Sequence, residues 1–310
     1  MEAKLGDLRT PVTIGKTELT TPTLGVGAMT WNRKDVQGAH RAFQASLDAG
    51  VTLIDTAEMY GRGQSERLVG YFLQRSEREA LVATKFAPLP TRLRPSSLSK
   101  ALAGSLRRLR MESVDLYQVH WPFSFLKIEP LMEAMADEIE AGRIKAVGVS
   151  NYNADQMRRA FEALERWDIP LASNQVNYSL LHRDPEQNGV LNACRELNVA
   201  LIAYTPLASG ALSGKYGPGS SVDGIRRMRR QFRKIGELQP LIEELASIGN
   251  EHEKTPAQVA LNWLARQEGV IPIPGAKDSD QATSNAGALD FELTQGEAER
   301  LDLLSAEWAE

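Results

Sequence analysis

The feature that most constrains the fold is a repeat in which a short apolar run is followed by an amphipathic segment. Each amphipathic segment places apolar residues three and four positions apart, the spacing of one helix face. Successive apolar runs begin 27 to 33 residues apart, near Val51, Leu81, Val114, Ile144, Ala172 and Val199. One strand with its returning helix takes about 30 residues, the size of a βαβ unit. The repeat therefore predicts parallel strands that alternate with helices.

Two further strands complete the series. LGVGAM at 24–29 precedes the repeat, and GVIPIPG begins at Gly269 after a gap that holds two predicted helices, near 237–250 and 255–268. Eight strands alternating with helices predict a (β/α)8 TIM barrel that occupies 1–310 as a single domain. An open doubly wound sheet is the alternative. It is disfavoured because no G-x-G-x-x-G follows any strand and no linker divides the chain.

Three segments lie outside the repeat. A short hairpin is predicted within 10–20, before the first strand, and a last helix, Thr294 to Leu304, is expected to pack outside the barrel. The loop after the seventh strand is rich in basic residues, namely Arg226, Arg227, Arg229, Arg230, Arg233 and Lys234. This loop is predicted to be a solvated surface or a surface clamp, and an anion-binding rim is the alternative.

Composition excludes several classes of protein. Lys plus Arg number 36 and Asp plus Glu 40, so the formal net charge of −4 gives no general attraction to nucleic acid or to an anionic membrane. No apolar run reaches the roughly 18–20 residues of a membrane-spanning helix, and the first ten residues lack the apolar core of a signal peptide. The single cysteine, Cys194, cannot form an intrachain disulfide. These features predict a cytoplasmic protein.

Polar side chains stand at the predicted ends of the strands. Asp55, Lys85 and His120 end three successive strands, and Tyr60 follows the first of them by five residues. In a TIM barrel these ends form the active-site face. Taken singly, each residue has a purely structural interpretation. Asp55 would cap a loop, and Lys85 would be a solvated charge at a strand end. His120 would be a hydrogen-bonded core histidine, and Tyr60 would pack against its neighbours. Their convergence favours catalysis.

The four residues suggest a proton donor. If Asp55 and Lys85 are buried together, they can form a charge pair. The lysine cation then stabilises tyrosinate and lowers the pKa of Tyr60, while His120 can hydrogen-bond and orient a substrate oxygen. A metal-dependent hydrolase that uses Asp55 and His120 is a competing hypothesis. It lacks further ligands at the strand ends, because the other histidines fall on helices or loops, namely His40, His182 and His252.

At this point the chain resembles the aldo-keto reductase family along nearly its whole length. The resemblance rests on DTAEMYG, ATKF, QVHWP, GRIKAVGVSNY, NQVNYSLL, YTPLASGALSGKY and IPIPGAK, in that order. It implies a catalytic tetrad of Asp55, Tyr60, Lys85 and His120, with Tyr60 as general acid in reduction. It also implies hydride transfer from NADPH, or from NADH, to an aldehyde or ketone without a metal.

The resemblance also assigns the cofactor site. Ser150, Asn151 and Gln175 match the residues that hold the nicotinamide carboxamide, and Tyr204 matches the aromatic residue that stacks on the nicotinamide ring. The pyrophosphate segment corresponds to Thr205, Pro206, Leu207, Ser209 and Lys215. The adenosine and 2′-phosphate site corresponds to Gly275, Lys277, Gln281 and Asn285. Thr30, Trp31 and Asp55 complete the predicted cofactor contacts.

Two departures from the family pattern bear on this site. Many members carry arginine where this chain has Gln281, and glutamate where it has Ser284. Lys277 is kept and favours NADPH, whereas Asp278 and Asp280 would weaken 2′-phosphate binding if they faced it. The helix that begins near Asp278 is expected to offer backbone N–H groups to the phosphate.

The substrate pocket is predicted from large apolar side chains near the strand ends, namely Trp31, Met59, Phe86, Trp121 and Phe123. They indicate an apolar or aromatic carbonyl compound as substrate, and barrel-rim packing is the alternative interpretation. Some stretches resemble pyridoxal-reducing members, namely GQSERLVG, TKFAPLPTRL and QVHW. The alternative function is an NADP(H)-binding sensor or regulatory module with little turnover. Both a monomer and a small homo-oligomer are compatible with the sequence.

Overall fold

The computed structural model describes residues 7–122, 126–222 and 224–308, with the backbone alone at 225 and 226. An antiparallel hairpin comes first, formed by β1 (Val12–Thr13) and β2 (Thr20–Thr21). Eight parallel strands follow, each paired with the next in chain order: β3 (Gly25–Gly27), β4 (Leu53–Asp55), β5 (Leu81–Phe86), β6 (Val114–Val119), β7 (Ile144–Ser150), β8 (Leu171–Asn177), β9 (Ala200–Tyr204) and β10 (Val270–Ile273).

A bridge between the first and last of these strands closes the sheet. Gly27 pairs with Gly275 in parallel, and its N–H donates to the Pro274 carbonyl at 2.9 Å. The TIM-barrel prediction is therefore confirmed, and the open-sheet alternative is wrong. The hairpin prediction is also confirmed, although its strands pair at 12–13 and 20–21, with a longer turn than the sequence suggested.

Helices follow the strands and surround the barrel. They are α1 (Val36–Asp48), α2 (Gln64–Leu73), α3 (Ser96–Leu109), α4 (Ile128–Glu140), α5 (Ala154–Glu165), α6 (Asp184–Gln187), α7 (Val190–Leu197), α8 (Arg230–Arg233), α9 (Gln239–Glu251), α10 (Pro256–Ala265), α11 (Ser279–Ala286) and α12 (Gln295–Ser305). Three of these helices begin with a capping box, in which Asn153, Thr255 and Thr294 accept from the backbone of the first turn.

One helix differs from its sequence-based prediction. The repeat predicts one helix after β8, over 185–197, but this segment is divided into α6 and α7. Gly189 lies between them with a φ of 81°. Because this left-handed conformation suits glycine and interrupts a right-handed helix, the chain turns there. The two predicted helices after the seventh strand correspond to α9 and α10.

The barrel interior changes from apolar to polar along the strands. Successive residues of a strand face opposite sides of the sheet. Toward the amino-terminal ends of the strands the interior is filled by apolar side chains, including Leu53, Ala83, Leu116, Ala146, Ala200, Ile202 and Ile271. Toward the carboxyl ends of β4 to β8 the buried inward positions become polar, at Asp55, Lys85, Gln118, Ser150 and Gln175. The fold thus places hydrogen-bonding groups on one end of an apolar barrel.

The hairpin packs against the amino-terminal end of the barrel. Ile14 is fully buried and Leu19 nearly so, and both belong to the interior apolar cluster. Gly15 has a φ of 62°, and a Cβ atom there would lie 2.5 Å from the Ala172 carbonyl oxygen. This close approach leaves room only for glycine. Within the described residues, no helix combines the length and apolar character needed to cross a bilayer.

Candidate active site

The four predicted catalytic residues meet at the carboxyl end of the barrel. Asp55 ends β4, Lys85 lies near the end of β5, and His120 follows β6 directly. Tyr60 begins a single turn of 3-10 helix, Tyr60–Arg62, in the loop after β4. Parallel strands end on the same face of a barrel, and this topology accounts for the convergence.

Asp55 and Lys85 form a buried ion pair. Lys85 Nζ lies 2.7 Å from Asp55 Oδ1 and 2.6 Å from Oδ2, and it also donates to the Thr56 carbonyl at 2.9 Å. Burial alone would lower the pKa of Lys85, but the charge of Asp55 and the hydrogen bonds to it outweigh burial and raise the pKa. Lys85 is therefore a fixed cation at neutral pH.

Tyr60 extends toward this cation. Its hydroxyl lies 3.4 Å from Lys85 Nζ, which also lies 5.0 Å from the centre of the tyrosine ring. Burial raises the pKa of Tyr60, Lys85 acts to lower it, and the Asp55 charge raises it again; the net pKa is above the ordinary value. Lys85 lowers the Tyr60 pKa as expected, but desolvation has the larger effect and the net pKa is raised. Tyr60 is protonated at neutral pH.

His120 lies beside Tyr60 and is neutral. The two rings are 5.9 Å apart and nearly perpendicular, while the His120 ring stacks on Trp121 at 3.7 Å. Burial and the Lys85 charge lower the pKa of His120 to about 3. Its Nδ1 is buried and has no hydrogen-bond partner among the described residues. A neutral imidazole here can donate one hydrogen bond to a substrate oxygen.

Two glutamines support the ion pair from inside the barrel. Gln175 Nε2 donates to Asp55 Oδ1 at 2.8 Å, and Gln118 Nε2 approaches the same oxygen at 3.4 Å. The sequence analysis did not include Gln118 among the predicted site residues. It could have been found by counting back two residues from His120 along β6, because alternate residues share a face. Gly148 leaves space for this side chain, since a Cβ atom there would lie 2.8 Å from Gln118 Cγ.

The predicted carboxamide-binding residues form one hydrogen-bonded group. Ser150 Oγ donates to the Gln175 carbonyl at 2.8 Å, and Asn151 Nδ2 donates to Ser150 Oγ at 3.1 Å and to the His120 carbonyl at 3.1 Å. The Tyr204 hydroxyl donates to Asn151 Oδ1 at 3.0 Å. The structure thus brings these residues together beside the tetrad.

Strained backbone follows the ends of β7 and β9. Positive φ angles of 48–62° occur at four non-glycine residues, namely Asn151, Thr205, Ala208 and Ser209. Such conformations cost of order 1–3 kcal/mol each and persist where the surrounding structure fixes them. Three of the four lie in the predicted pyrophosphate segment, which also contains buried Pro206 and half-buried Leu207. The surrounding structure therefore holds this segment in a conformation that an isolated chain would rarely adopt.

The predicted adenosine end lies around α11. Lys277 is exposed, and its backbone N–H donates to Gln281 Oε1 at 3.2 Å. Asp278 caps α11 by accepting from the Gln281 N–H at 2.9 Å. One N–H that was expected to face a phosphate is therefore already used. Asn285 Nδ2 donates to the Gly275 carbonyl at 3.3 Å and fixes the loop that leads into the helix.

The remaining predicted contacts are dispersed. Thr30 and Lys215 are exposed, and Lys215 Nζ lies over the Tyr216 ring. In the arginine-rich loop, Arg229 Nη1 donates to Ser209 Oγ at 2.6 Å and Gln231 Nε2 to the Ala208 carbonyl at 3.2 Å. These contacts attach the loop to the predicted pyrophosphate segment, in keeping with a surface clamp.

The predicted substrate residues fall into two groups. Met59 is 44% exposed, and Trp121 is half-buried against His120. Trp31 and Phe86, by contrast, are buried on the helical side of the sheet and offer no surface to a substrate. Trp31 packs on Phe43 and Phe72. Phe86 points away from the barrel axis because Lys85, its neighbour on β5, points inward.

Two other points complete the site. Phe123 was also predicted to line the pocket, but it lies outside the described residues. In the described part of the chain, no three His, Cys, Asp or Glu side chains are grouped so that they could hold a metal ion.

Comparison with known proteins agrees with this geometry. The Aldo/keto reductase family model matches residues 23–306. The chloroplastic pyridoxal reductase of Arabidopsis thaliana is 35% identical over 93% of this chain and 84% of its own length. The aldo-keto reductase yakc of Schizosaccharomyces pombe, named with NADP(+), is 34% identical over 89% of this chain and 86% of its own.

A solved structure gives the same fold. The aldo-keto reductase of Klebsiella pneumoniae in complex with NADPH is 28% identical, with a TM-score of 0.77 over 94% of this chain and 94% of that one. The prediction of an NAD(P)H-dependent reductase is confirmed at the level of the family: this chain belongs to the aldo/keto reductase family.

Proposed function

We propose that this protein reduces an aldehyde or ketone to an alcohol with NADPH, and that Tyr60 is the proton donor. The observation that carries the proposal is the position of the Tyr60 hydroxyl, 3.4 Å from a lysine that is itself fixed by Asp55. A phenol beside a permanent cation can release its proton and leave a stabilised tyrosinate. Because its pKa is raised, Tyr60 carries that proton at neutral pH.

The residues present fit a nicotinamide cofactor. The Ser150, Asn151 and Gln175 group offers polar side chains next to the tetrad, and Tyr204 supplies a half-buried aromatic ring beside them. When bound, a reduced nicotinamide supplies a hydride to the carbonyl carbon. Lys277 supports NADPH over NADH because it places a cation at the predicted 2′-phosphate site, and the related Klebsiella pneumoniae structure contains NADPH.

The protein groups act on the carbonyl oxygen. Tyr60 donates its proton to this oxygen as negative charge develops there. Neutral His120 donates a hydrogen bond to the same oxygen and orients it, since a histidine with a pKa of about 3 carries no charge to compete with Lys85. Asp55 keeps Lys85 charged and in place. In the reverse reaction tyrosinate is the base, so the raised pKa of Tyr60 favours oxidation only at alkaline pH.

Pyridoxal is the specific substrate to test first. The relative from Arabidopsis thaliana is a pyridoxal reductase, and its similarity covers 93% of this chain. Pyridoxal carries an aldehyde on an aromatic ring, and the exposed Met59 together with Trp121 would contact a flat, apolar face. Other aromatic aldehydes share this chemistry and should compete with it.

The test is NADPH consumption by wild type and Tyr60→Phe against pyridoxal, other aldehydes, ketones and quinones. Loss of general acid catalysis should lower turnover by at least about 10²-fold, whereas NADPH binding, followed by fluorescence titration, should change little. Tyr71→Phe is a matched control, because Tyr71 is an exposed tyrosine on α2, outside the site. Near-normal turnover by Tyr60→Phe would contradict the role of Tyr60.

The alternative is a cofactor-binding module with little turnover. It predicts that the wild-type protein binds NADPH but consumes none with any carbonyl in the panel. A complete tetrad with a fixed ion pair supports catalysis, because a module that only binds cofactor has no need of a protonated tyrosine beside a buried lysine.

A further inference from the structure

A pocket lined by arginines lies on the outer wall of the barrel, away from the predicted cofactor site. It occupies the groove between α2 and α3 and has a volume of about 360 Å³. The lining residues are Arg67 on α2 with Gly104, Arg107, Arg108 and Arg110 at the end of α3. Four guanidinium groups thus share one pocket in a chain whose net charge is −4.

One guanidinium is fixed in place. Arg108 Nε donates to Oε2 of the fully buried Glu66 at 2.5 Å, and its Nη2 donates to Ser105 Oγ at 3.0 Å. Glu66 is held in turn by Thr84, whose hydroxyl donates to Oε1 at 2.7 Å. The pocket also has room because Gly63 carries no side chain: a Cβ atom there would lie 2.5 Å from Arg108 Cδ.

The other three arginines lack a carboxylate partner within the described residues. The Arg107 side chain makes no hydrogen bond or ion pair there, and the Arg67 side chain donates only to the Arg62 carbonyl, at 3.4 Å. Arg110 donates to the neutral Gln74 side chain at 2.6 Å. On other helices, exposed arginines pair with glutamates at 2.5–2.8 Å, as in Arg158 with Glu196 and Arg159 with Glu129. The three pocket arginines therefore keep side-chain donors that are available to a bound anion.

We propose that this pocket binds a small phosphorylated molecule through Arg67, Arg107 and Arg110, with Arg108 as its fixed inner wall. Glu66 neutralises one of the four guanidiniums, so an excess of about three positive charges remains. Guanidinium groups match phosphate oxygens in bidentate geometry. The volume suits a compact ligand with a diphosphate or phosphate-ester group, and a single small anion would not span the arginines.

The test is calorimetric titration with inorganic pyrophosphate, with NADP+ at saturation so that the cofactor site cannot take up the probe. The variant is Arg67→Ala/Arg107→Ala. Its control is Arg41→Ala/Arg195→Ala, which removes the same charge from exposed arginines on α1 and α7. Since each lost arginine removes a charge-assisted hydrogen bond to the probe, binding should weaken at least about tenfold per arginine. The pocket variant should therefore bind about 100-fold more weakly, and the control within about twofold of wild type.

Equal binding by the two double variants, or no binding of pyrophosphate by wild type, would overturn the proposal. So would a pocket-dependent affinity for a single-stranded oligonucleotide without any for pyrophosphate, because the ligand would then be a nucleic acid backbone. The substituted arginines make few contacts, so unchanged thermal unfolding is expected for both variants. If NADP+ itself fails to bind, the same titrations without it still decide the question, and the proposed reductase activity fails separately.

Discussion

At the scale of single residues, the site combines one fixed charge with two neutral proton carriers. Lys85 and Asp55 form a pair that is almost completely buried, and such a pair is stable only when both partners remain. Tyr60 and His120 are kept neutral by burial, in opposite senses: burial raises the pKa of the phenol and lowers that of the imidazole. Desolvation therefore sets the protonation of both groups that would face a substrate.

The lowered pKa of His120 predicts that the stability of the protein depends on pH. Its folded-state pKa of about 3 lies below the ordinary value of 6.5, so between these values the unfolded chain binds a proton that the folded chain does not. Stability should therefore fall as pH decreases from about 6.5 toward 3, by up to about 1.4 kcal/mol per pH unit from this residue. His120→Asn should lose this contribution. Urea unfolding of both proteins at pH 7, 6, 5 and 4 measures the difference, and parallel slopes would refute it.

At the scale of secondary-structure elements, the sequence predicted which strand ends converge at the candidate site. The period of about 30 residues located six of the eight barrel strands, β4 to β9, and the last polar residue of β4 and β5 is the residue that meets the others. Side-chain direction was less well predicted. Alternation along β5 puts Phe86 opposite to Lys85, and alternation along β6 puts Gln118 beside His120. The directions of Phe86 and Gln118 both follow from the two-residue alternation of side chains along a strand. The burial of Trp31 could not be predicted from this alternation, because Trp31 lies in the loop after β3.

The loops after β4 and β5 are joined by an ion pair that the sequence did not reveal. Arg92 donates to both carboxylate oxygens of Glu58, at 2.8 Å to Oε2, and Glu58 Oε1 also accepts from the Ala87 N–H at 2.8 Å. Glu58 is two residues before Tyr60, and Ala87 two after Lys85. The pair therefore connects the segments that carry Tyr60, the proposed proton donor, and Lys85.

Removing the ion pair between Glu58 and Arg92 should lower both turnover and stability. Arg92→Ala leaves Glu58 buried with one backbone donor, which should cost about 1–3 kcal/mol of stability. Because small displacements of a catalytic group are costly, kcat should fall about tenfold or more. Arg158→Ala is the control, since it breaks an exposed pair with Glu196 that contributes at most about 1 kcal/mol. Steady-state kinetics and urea unfolding measure both effects. An unchanged kcat for Arg92→Ala would show that the ion pair between Arg92 and Glu58 does not position Tyr60.

At the scale of the whole molecule, the two ends of the barrel differ in polarity and in their contribution to stability. The carboxyl end carries strained backbone, a buried ion pair and polar groups, all of which reduce stability. The amino-terminal end is apolar and is covered by the hairpin through Ile14 and Leu19. The sequence predicted a hairpin but not its position, because contacts with β8 lie more than 150 residues away in the chain. The hairpin stabilises a barrel whose other end is adapted for chemistry.

This division predicts that a change at the hairpin affects stability and leaves the site intact. Gly15→Ala places a Cβ atom 2.5 Å from the Ala172 carbonyl oxygen in a backbone with φ of 62°. The left-handed conformation should cost about 1–2 kcal/mol, and the steric conflict about 1–3 kcal/mol more. Gly50→Ala is the matched control, because Gly50 has a φ of 81° but no atom within 4 Å of its would-be Cβ.

Urea unfolding should therefore show Gly15→Ala to be less stable than Gly50→Ala by about 1–3 kcal/mol, the steric part alone. Under conditions where both variants are folded, kcat and KM should match wild type, because residues at the amino-terminal end of a barrel serve stability. Equal losses of stability in the two variants would mean that the hairpin moves aside and does not close the barrel. A fall in kcat for Gly15→Ala alone would mean that the two ends are mechanically coupled through β8, which also carries Gln175 and so reaches Asp55.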